Sequence, residues 1–174
     1  ATGGTITTVC TNFKVHTFTG PGTFCVSNAG NSGGSNTVDY LVIAGGGSSS
    51  QGGGSYAGAG GGAGGYRFSD GTASGCYSAG PSPLGASALP VSIQGYPITV
   101  GAGGARVPGC NEQPGLQGAN SIFSTITSTG GGAGRMSYPS IPSGPDTANG
   151  GSGGGGAAPW GSVGSSNTSV TGGA

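Results

Sequence analysis

The chain has 174 residues, of which 45 are glycine, and only 5% of its residues are charged. Four Lys and Arg balance four Asp and Glu, so the sequence offers no electrostatic surface for nucleic acid or for an anionic membrane. No apolar run is long enough to cross a bilayer, and no apolar leader opens the chain, so we expect neither membrane insertion nor a signal peptide.

Short runs of β-branched and aromatic residues predict strands. The first is Thr5–Val9. Residues 13–19 and 23–26 are expected to form a hairpin through the breaker Gly20-Pro21-Gly22. The apolar run 38–44 is typical of a strand covered on both faces.

Further strands are expected later in the chain. Residues 91–93 and 98–100 flank an expected turn at Gly95-Tyr96-Pro97. A strand over 121–129 would place Ile122 and Ile126 on one face and Phe123 on the other. No window shows the apolar period of a helix, so essentially no helix is expected.

Glycine tracts follow these strands, at residues 45–65, 101–105, 130–134 and 149–158. Glycine does not recur strictly at every third position, which excludes a collagen triple helix. Bare backbone can instead run in the extended polyproline II conformation, close enough to neighbouring tracts for lateral hydrogen bonds. The alternative is a flexible linker of Gly and Ser.

These patterns predict an all-β fold in which a β-sandwich-like sheet is joined to packed, extended glycine-rich segments of the polyglycine or polyproline II type. We expect one domain over residues 1–174, strand-rich over 1–44 and built of glycine tracts and loops over 45–174.

The cysteines point to an oxidising compartment. Their number is even, and they lack the spacing of a metal site, so two disulfides are expected. Loop closure favours the local pairs, and free buried thiols are the alternative. The candidates are Cys10 with Cys25, and Cys76 with Cys110.

Catalytic chemistry is poorly represented, and we expect no enzyme, no metal and no cofactor. The single histidine, His16, lies in an expected strand, where a packed or exposed strand residue is the simpler interpretation than a catalytic base. The match to GxGxxG at residues 60–65 lacks a following helix, and chance explains it in so glycine-rich a chain.

Aromatic side chains beside small residues are the remaining candidates for binding. A ring on a Ser- and Gly-rich surface resembles an antibody paratope, in which tyrosine supplies contact area and small residues supply adaptability. Each ring could equally fill a gap between glycine tracts. The candidates for receptor binding are Tyr56, Tyr66, Tyr77, Tyr138 and Trp160, together with Arg67.

The motif order resembles a known family. The segments 16–24 (HTFTGPGTF), 38–47 (VDYLVIAGGG), 60–67 (GGGAGGYR), 98–104 (ITVGAGG) and 126–134 follow one another as in the glycine-rich domain of bacteriophage tail-fibre and related phage proteins. The resemblance covers roughly residues 5–156. It implies a β-rich domain at a fibre end or virion surface, in which packed polyglycine helices present variable loops to a bacterial receptor.

Two functions are therefore expected, both at a virion surface or outside the cell. The first is a non-enzymatic tail-fibre module that recognises a bacterial cell-surface glycan or outer-surface protein. The second is an assembly protein, either a capsid decoration or a filament subunit, in which strands near residues 5–9 and 167–171 pair between copies. Both fit a homo-oligomer or a domain attached to a fibre.

Overall fold

The fold is described from a computed structural model, for residues 1–9, 11, 13–30, 35–52, 58–69, 85–107, 113–135 and 149–156. These residues contain strands and extended segments and no helix, as the sequence predicts. They therefore also contain no apolar helix of a length that could cross a membrane.

The strands form four small sheets. The strands are β1 (Thr5–Val9), β2 (Phe13–Thr17), β3 (Gly22–Cys25), β4 (Thr37–Val38), β5 (Leu41–Ile43), β6 (Tyr66–Ser69), β7 (Gly85–Ala86), β8 (Leu89–Pro90), β9 (Gly95–Thr99), β10 (Ser121–Phe123) and β11 (Ile126–Ser128). A two-stranded ribbon pairs β1 with β2, and a second two-stranded sheet pairs β4 with β8. A four-stranded sheet has the order β11-β10-β9-β3, and a three-stranded sheet has the order β5-β6-β7.

The described residues group into two compact units that alternate along the chain. The strand-rich unit comprises those within Ala1–Val42, Arg67–Val100 and Ile122–Thr127, and the glycine-rich unit comprises those within Ile43–Tyr66, Gly101–Ser121 and Ser128–Ala174. The strand-rich part thus extends beyond residues 1–44, because strands that follow the first glycine tracts return to it.

An aromatic core holds the strand-rich unit. Phe24, Tyr96 and Phe123 are buried together, with the ring centroids of Phe24 and Phe123 6.0 Å apart and nearly perpendicular. Val26, Val42 and Val91 complete the buried cluster. Such edge-to-face pairs add to the free energy gained by burying the rings.

The expected hairpin between residues 13–19 and 23–26 is wrong. The partner of β2 is β1, with Thr5 opposite Thr17 and Val9 opposite Phe13. The partner of β3 is β9, far along the chain. Burial of Phe24 against Tyr96 outweighs the local turn signal of Gly20-Pro21-Gly22, since strand pairing depends on side-chain packing.

The turn expected at Gly95-Tyr96-Pro97 is also wrong, because these residues open β9. Tyr96 is buried, and its hydroxyl accepts a hydrogen bond from the backbone N–H of Ser92 at 2.8 Å. A hydrogen bond with Ser92, and after it in size one with Gln94, holds the pKa of the Tyr96 hydroxyl below its usual value. The aromatic side chain therefore fixes a strand where Gly and Pro indicate a turn.

Two expected strands are interrupted. Residues 38–44 do not form one strand covered on both faces, since β4 ends at Val38 and β5 begins at Leu41. Leu41 and Ile43 are 57% and 56% exposed, whereas Val42 and Ala44 are buried. Residues 121–129 form β10 and β11, joined by a turn in which Ser124 has a φ of 55°.

Candidate functional site: one end of a glycine bundle

The glycine-rich unit is a bundle of extended tracts whose hydrogen bonds recur every third residue. Tract 1 comprises residues 44–51, tract 2 58–65, tract 3 101–107, tract 4 113–120, tract 5 129–135 and tract 6 149–156. The N–H groups of Ala44, Gly47 and Ser50 donate to the carbonyls of residues 65, 62 and 59 in tract 2, at 2.8 to 3.0 Å. This period is that of polyproline II, as expected from the sequence.

A second row on tract 1 serves a different neighbour. The N–H groups of Gly45, Ser48 and Gln51 donate to the carbonyls of residues 119, 116 and 113 in tract 4. Buried peptide groups are thus paired between tracts, as the cost of burying an unpaired polar group requires. The expected lateral packing of bare backbone is confirmed.

Tract 5 lies inside the bundle. Its residues 130–134 are all buried, and Ala133 is 0% exposed. It bonds to tracts 1, 2, 4 and 6, for example through Gly131 N–H to Gly45 O at 2.8 Å. A Cβ added at Gly131 would lie 2.1 Å from Gly62 O, so no side chain fits between these tracts.

The directions of the tracts bring several of their ends together. We call the far end the part of the bundle where Gln51 bonds to Gln113, Ser50 to Ala59 and Arg135 to Gly155. Tracts 1, 5 and 6 finish at the far end, and tracts 2 and 4 begin there. Tract 3 runs alongside tract 1 and finishes in the same place, at Val107.

Serine hydroxyls reinforce the far end. Ser50 Oγ accepts a hydrogen bond from Ala59 N–H at 2.7 Å and donates to Arg135 O at 3.1 Å. Ser48 Oγ accepts from Leu116 N–H at 2.8 Å. These serine hydroxyls thus form hydrogen bonds with backbone N–H and C=O groups of neighbouring tracts. Sequence reasoning missed these roles, although serine breaking the glycine run at residues 48–50 is the signal.

An open groove lies beside the far end, between tracts 1 and 3. Its volume is about 400 Å³, and its walls are Ser48–Gln51 with Gly104, Arg106 and Val107. Arg106 is exposed, and Oε1 of Gln51 is buried without a hydrogen-bond partner among the described residues. The groove is lined by both polar and apolar atoms and carries one positive charge.

Three of the candidate aromatic residues belong to segments that start at the far end. Tyr56 lies in the segment that joins tract 1 to tract 2, Tyr138 lies in the one that follows tract 5, and Trp160 follows tract 6. All three rings, and Tyr77, lie outside the described residues.

The remaining candidates lie elsewhere. Tyr66 follows Gly65 at the opposite end of the bundle and is 56% exposed. Arg67 is half-buried in β6. The described part of the chain therefore does not group either residue with the far end.

Cys25 is exposed at the end of β3 and forms no disulfide with another described residue. Cys10, Cys76 and Cys110 lie outside the described residues, so the two disulfides stay a prediction. Within the described ranges, no group of three His, Cys, Asp or Glu side chains could hold a metal ion.

His16 is packed in the ribbon. Its Nδ1 lies 2.8 Å from Gly3 O, and its ring meets the edge of Phe24 with centroids 5.0 Å apart. This is the position of a strand histidine that packs against the aromatic core.

Comparison with known protein families identifies the chain. Residues 17–174 match the glycine-rich domain family, and the chain belongs to that family. The match covers the glycine tracts and strands β3 to β11, and it begins at the last residue of β2. Searches of curated proteins and of solved structures each gave no significant match.

Proposed function

We propose that this chain is a non-enzymatic module of a virion surface or tail fibre that binds a bacterial cell-surface receptor, either a glycan or an outer-surface protein. The observation that carries the proposal is the far end of the bundle. Segments bearing Tyr56, Tyr138 and Trp160 start there, from tracts whose backbones are hydrogen-bonded to one another.

The bundle suits this task physically. Binding costs free energy for every segment that must be ordered, and attachment to a rigid framework lowers that cost. Functional residues are commonly carried by loops that a rigid scaffold positions. Aromatic rings among Ser and Gly supply contact area with little loss of side-chain entropy.

The test is adsorption of the labelled domain to a panel of bacterial strains. On a strain that the wild type binds, Tyr56→Ala, Tyr138→Ala and Trp160→Ala should each lower adsorption about tenfold, because interface aromatics often dominate binding energy. Tyr66→Ala is the matched control, since Tyr66 lies at the opposite end and should leave adsorption unchanged. Equal adsorption by all four variants contradicts the proposal.

A second function is supported by the ribbon. Ile6, Val9 and Val15 are each 44% exposed, and among the described strands β1 pairs only with β2. An unpaired strand edge with apolar side chains is a template for another copy. The chain would then be a capsid decoration or filament subunit. Residues 167–171, the other expected pairing strand, lie outside the described residues.

Electron microscopy of the native particle separates the two functions. Copies that repeat along a lattice or filament support assembly, and a few copies at a fibre tip support receptor binding. Val15→Asp should abolish an assembly that uses the ribbon, while Lys14→Gln, on the same strand, should leave it intact. Assembly that survives Val15→Asp excludes the ribbon as the interface.

A further inference from the structure

Tract 1 has one side whose backbone donors are unused. Residues 44, 47 and 50 donate to tract 2, and residues 45, 48 and 51 donate to tract 4. The third row consists of Gly46 and Ser49, whose N–H groups form no hydrogen bond with any described residue. With three residues per turn, this row faces a third direction.

The groove next to tract 1 contains part of this unused row. Ser49 lies in the groove wall and is exposed. The opposite wall belongs to tract 3 and carries Arg106, whose guanidinium forms no ion pair or hydrogen bond with a described residue. Gln51, in the wall formed by tract 1, has a side-chain oxygen without a hydrogen-bond partner among the described residues, but that oxygen is buried and not open to the groove. The groove thus offers two unused donors, Ser49 N–H and the Arg106 guanidinium.

We propose that this groove binds an extended peptide segment of a partner protein, in the polyproline II conformation and with one carboxylate side chain, as a further tract of the bundle. A carbonyl of the peptide accepts the N–H of Ser49. The carboxylate pairs with Arg106.

The dimensions and chemistry favour a peptide over other anions. At about 3.1 Å per residue, Ser48–Gln51 presents about 9 Å of backbone, which a ligand of three to four residues matches. The volume of about 400 Å³ suits a ligand of that size. A carboxylated sugar would satisfy Arg106 but has no repeat that matches the backbone of tract 1.

The inference goes beyond the proposed function, because it depends on the backbone of tract 1 and not on the segments that bear the aromatic candidates. The groove binds such a peptide whether the domain belongs to a fibre, a shell or a filament. If the groove does not bind the peptide, the expected adsorption results do not change. If the aromatic variants do not alter adsorption, the expected binding of the peptide does not change.

A proline at residue 49 makes a sharp test. Ser49→Pro removes the unused N–H, while the fixed φ of proline fits polyproline II and the hydrogen bonds of residues 47, 48, 50 and 51 are kept. Ser49→Ala is the matched control, because it keeps the N–H. Amide exchange at Gly47 and Ser48 checks that both variants keep the bundle.

The probe is a fluorescent nonapeptide, three repeats of Gly-Pro-Glu, and binding to the full chain is measured by fluorescence anisotropy. Because Ser49→Pro loses one hydrogen bond, we expect it to weaken binding about fivefold to tenfold. Ser49→Ala keeps that hydrogen bond and should leave binding unchanged. Arg106→Gln should weaken binding about tenfold and reduce its salt dependence, whereas Lys14→Gln should not.

Three outcomes overturn the proposal. The first is no binding of the peptide by the wild type. The second is equal binding by Ser49→Pro and Ser49→Ala. The third is that the groove binds glucuronic acid more tightly than the peptide and that this binding depends on Arg106 and Ser49 in the same way. The groove would then be a sugar site. A nonapeptide of Gly-Pro-Lys repeats should bind more weakly than the acidic one.

Discussion

The interiors of the two units are stabilised in opposite ways. In the strand-rich unit, rings such as Phe24 and Phe123 fill the interior, and the backbone lies around them. In the glycine bundle, peptide groups fill the interior, and a side chain on tract 5 has no space. Removing atoms should therefore damage the first unit, and adding atoms should damage the second.

The largest effect is expected for Gly131→Ala. The new Cβ would lie 2.1 Å from Gly62 O and 2.7 Å from both Ala63 O and Gly47 N, all of them backbone atoms. The tracts must separate and lose hydrogen bonds to make room, so we expect a loss of about 4 kcal/mol or more. Thermal unfolding and amide exchange over residues 45–65 measure it. Normal exchange protection there would contradict backbone packing of the bundle.

The strand-rich unit should respond to deletion. Phe123→Ala empties a space next to Phe24 and Tyr96, and a loss of about 3 to 5 kcal/mol in the free energy of unfolding is expected. Ile93→Ala is the control, since Ile93 is 69% exposed and should change stability little. Denaturant titration compares the two variants, and similar losses for both would argue against an aromatic core.

A smaller effect is expected where a side chain serves the bundle. Ser50→Ala leaves Ala59 N–H and Arg135 O without the hydroxyl, at a cost of about 1 to 3 kcal/mol. Ser49→Ala, one residue away, changes an exposed hydroxyl and should stay within about 0.5 kcal/mol of the wild type. Urea unfolding measures the difference, and equal stability of the two variants would rule out this role for Ser50.

The smallest effect should have the opposite sign. A Cβ at Gly60 meets no atom within 4 Å, and its φ lies outside the region that favours glycine. Gly60→Ala should therefore stabilise the chain by about 0.4 to 1 kcal/mol, since alanine restricts the unfolded backbone. Calorimetry tests this. A loss of stability as large as that of Gly131→Ala would mean that other atoms surround tract 2 at Gly60.

Much of the fold could be predicted because it depends on local composition. Thr5–Val9 is a strand at the predicted bounds. The glycine tracts pack as bare backbone because their buried N–H and C=O groups find hydrogen-bond partners in neighbouring tracts. What could not be predicted was pairing between distant segments. Phe24 finds Tyr96 across the chain, and that contact replaces the local hairpin and turns the Gly95 region into a strand.

The candidate site shows the same limit. Composition identified aromatic residues in glycine-rich segments, but the end of the bundle at which each tract stops follows from the directions of the tracts, which the sequence does not encode locally. Only the register of Gln51 with Gln113, and of Arg135 with Gly155, shows that several segments start at one end. Arg106 and Ser49 were not singled out together, because their proximity depends on tracts 1 and 3 running side by side.

The bare interior of tract 5 also bears on how the domain responds to temperature. Exposure of apolar surface raises the heat capacity on unfolding, and exposure of peptide groups lowers it. Unfolding of the bundle exposes mainly peptide groups, so its heat capacity change should be small for its length. Its stability curve is then shallow, and the bundle should resist cold as well as heat.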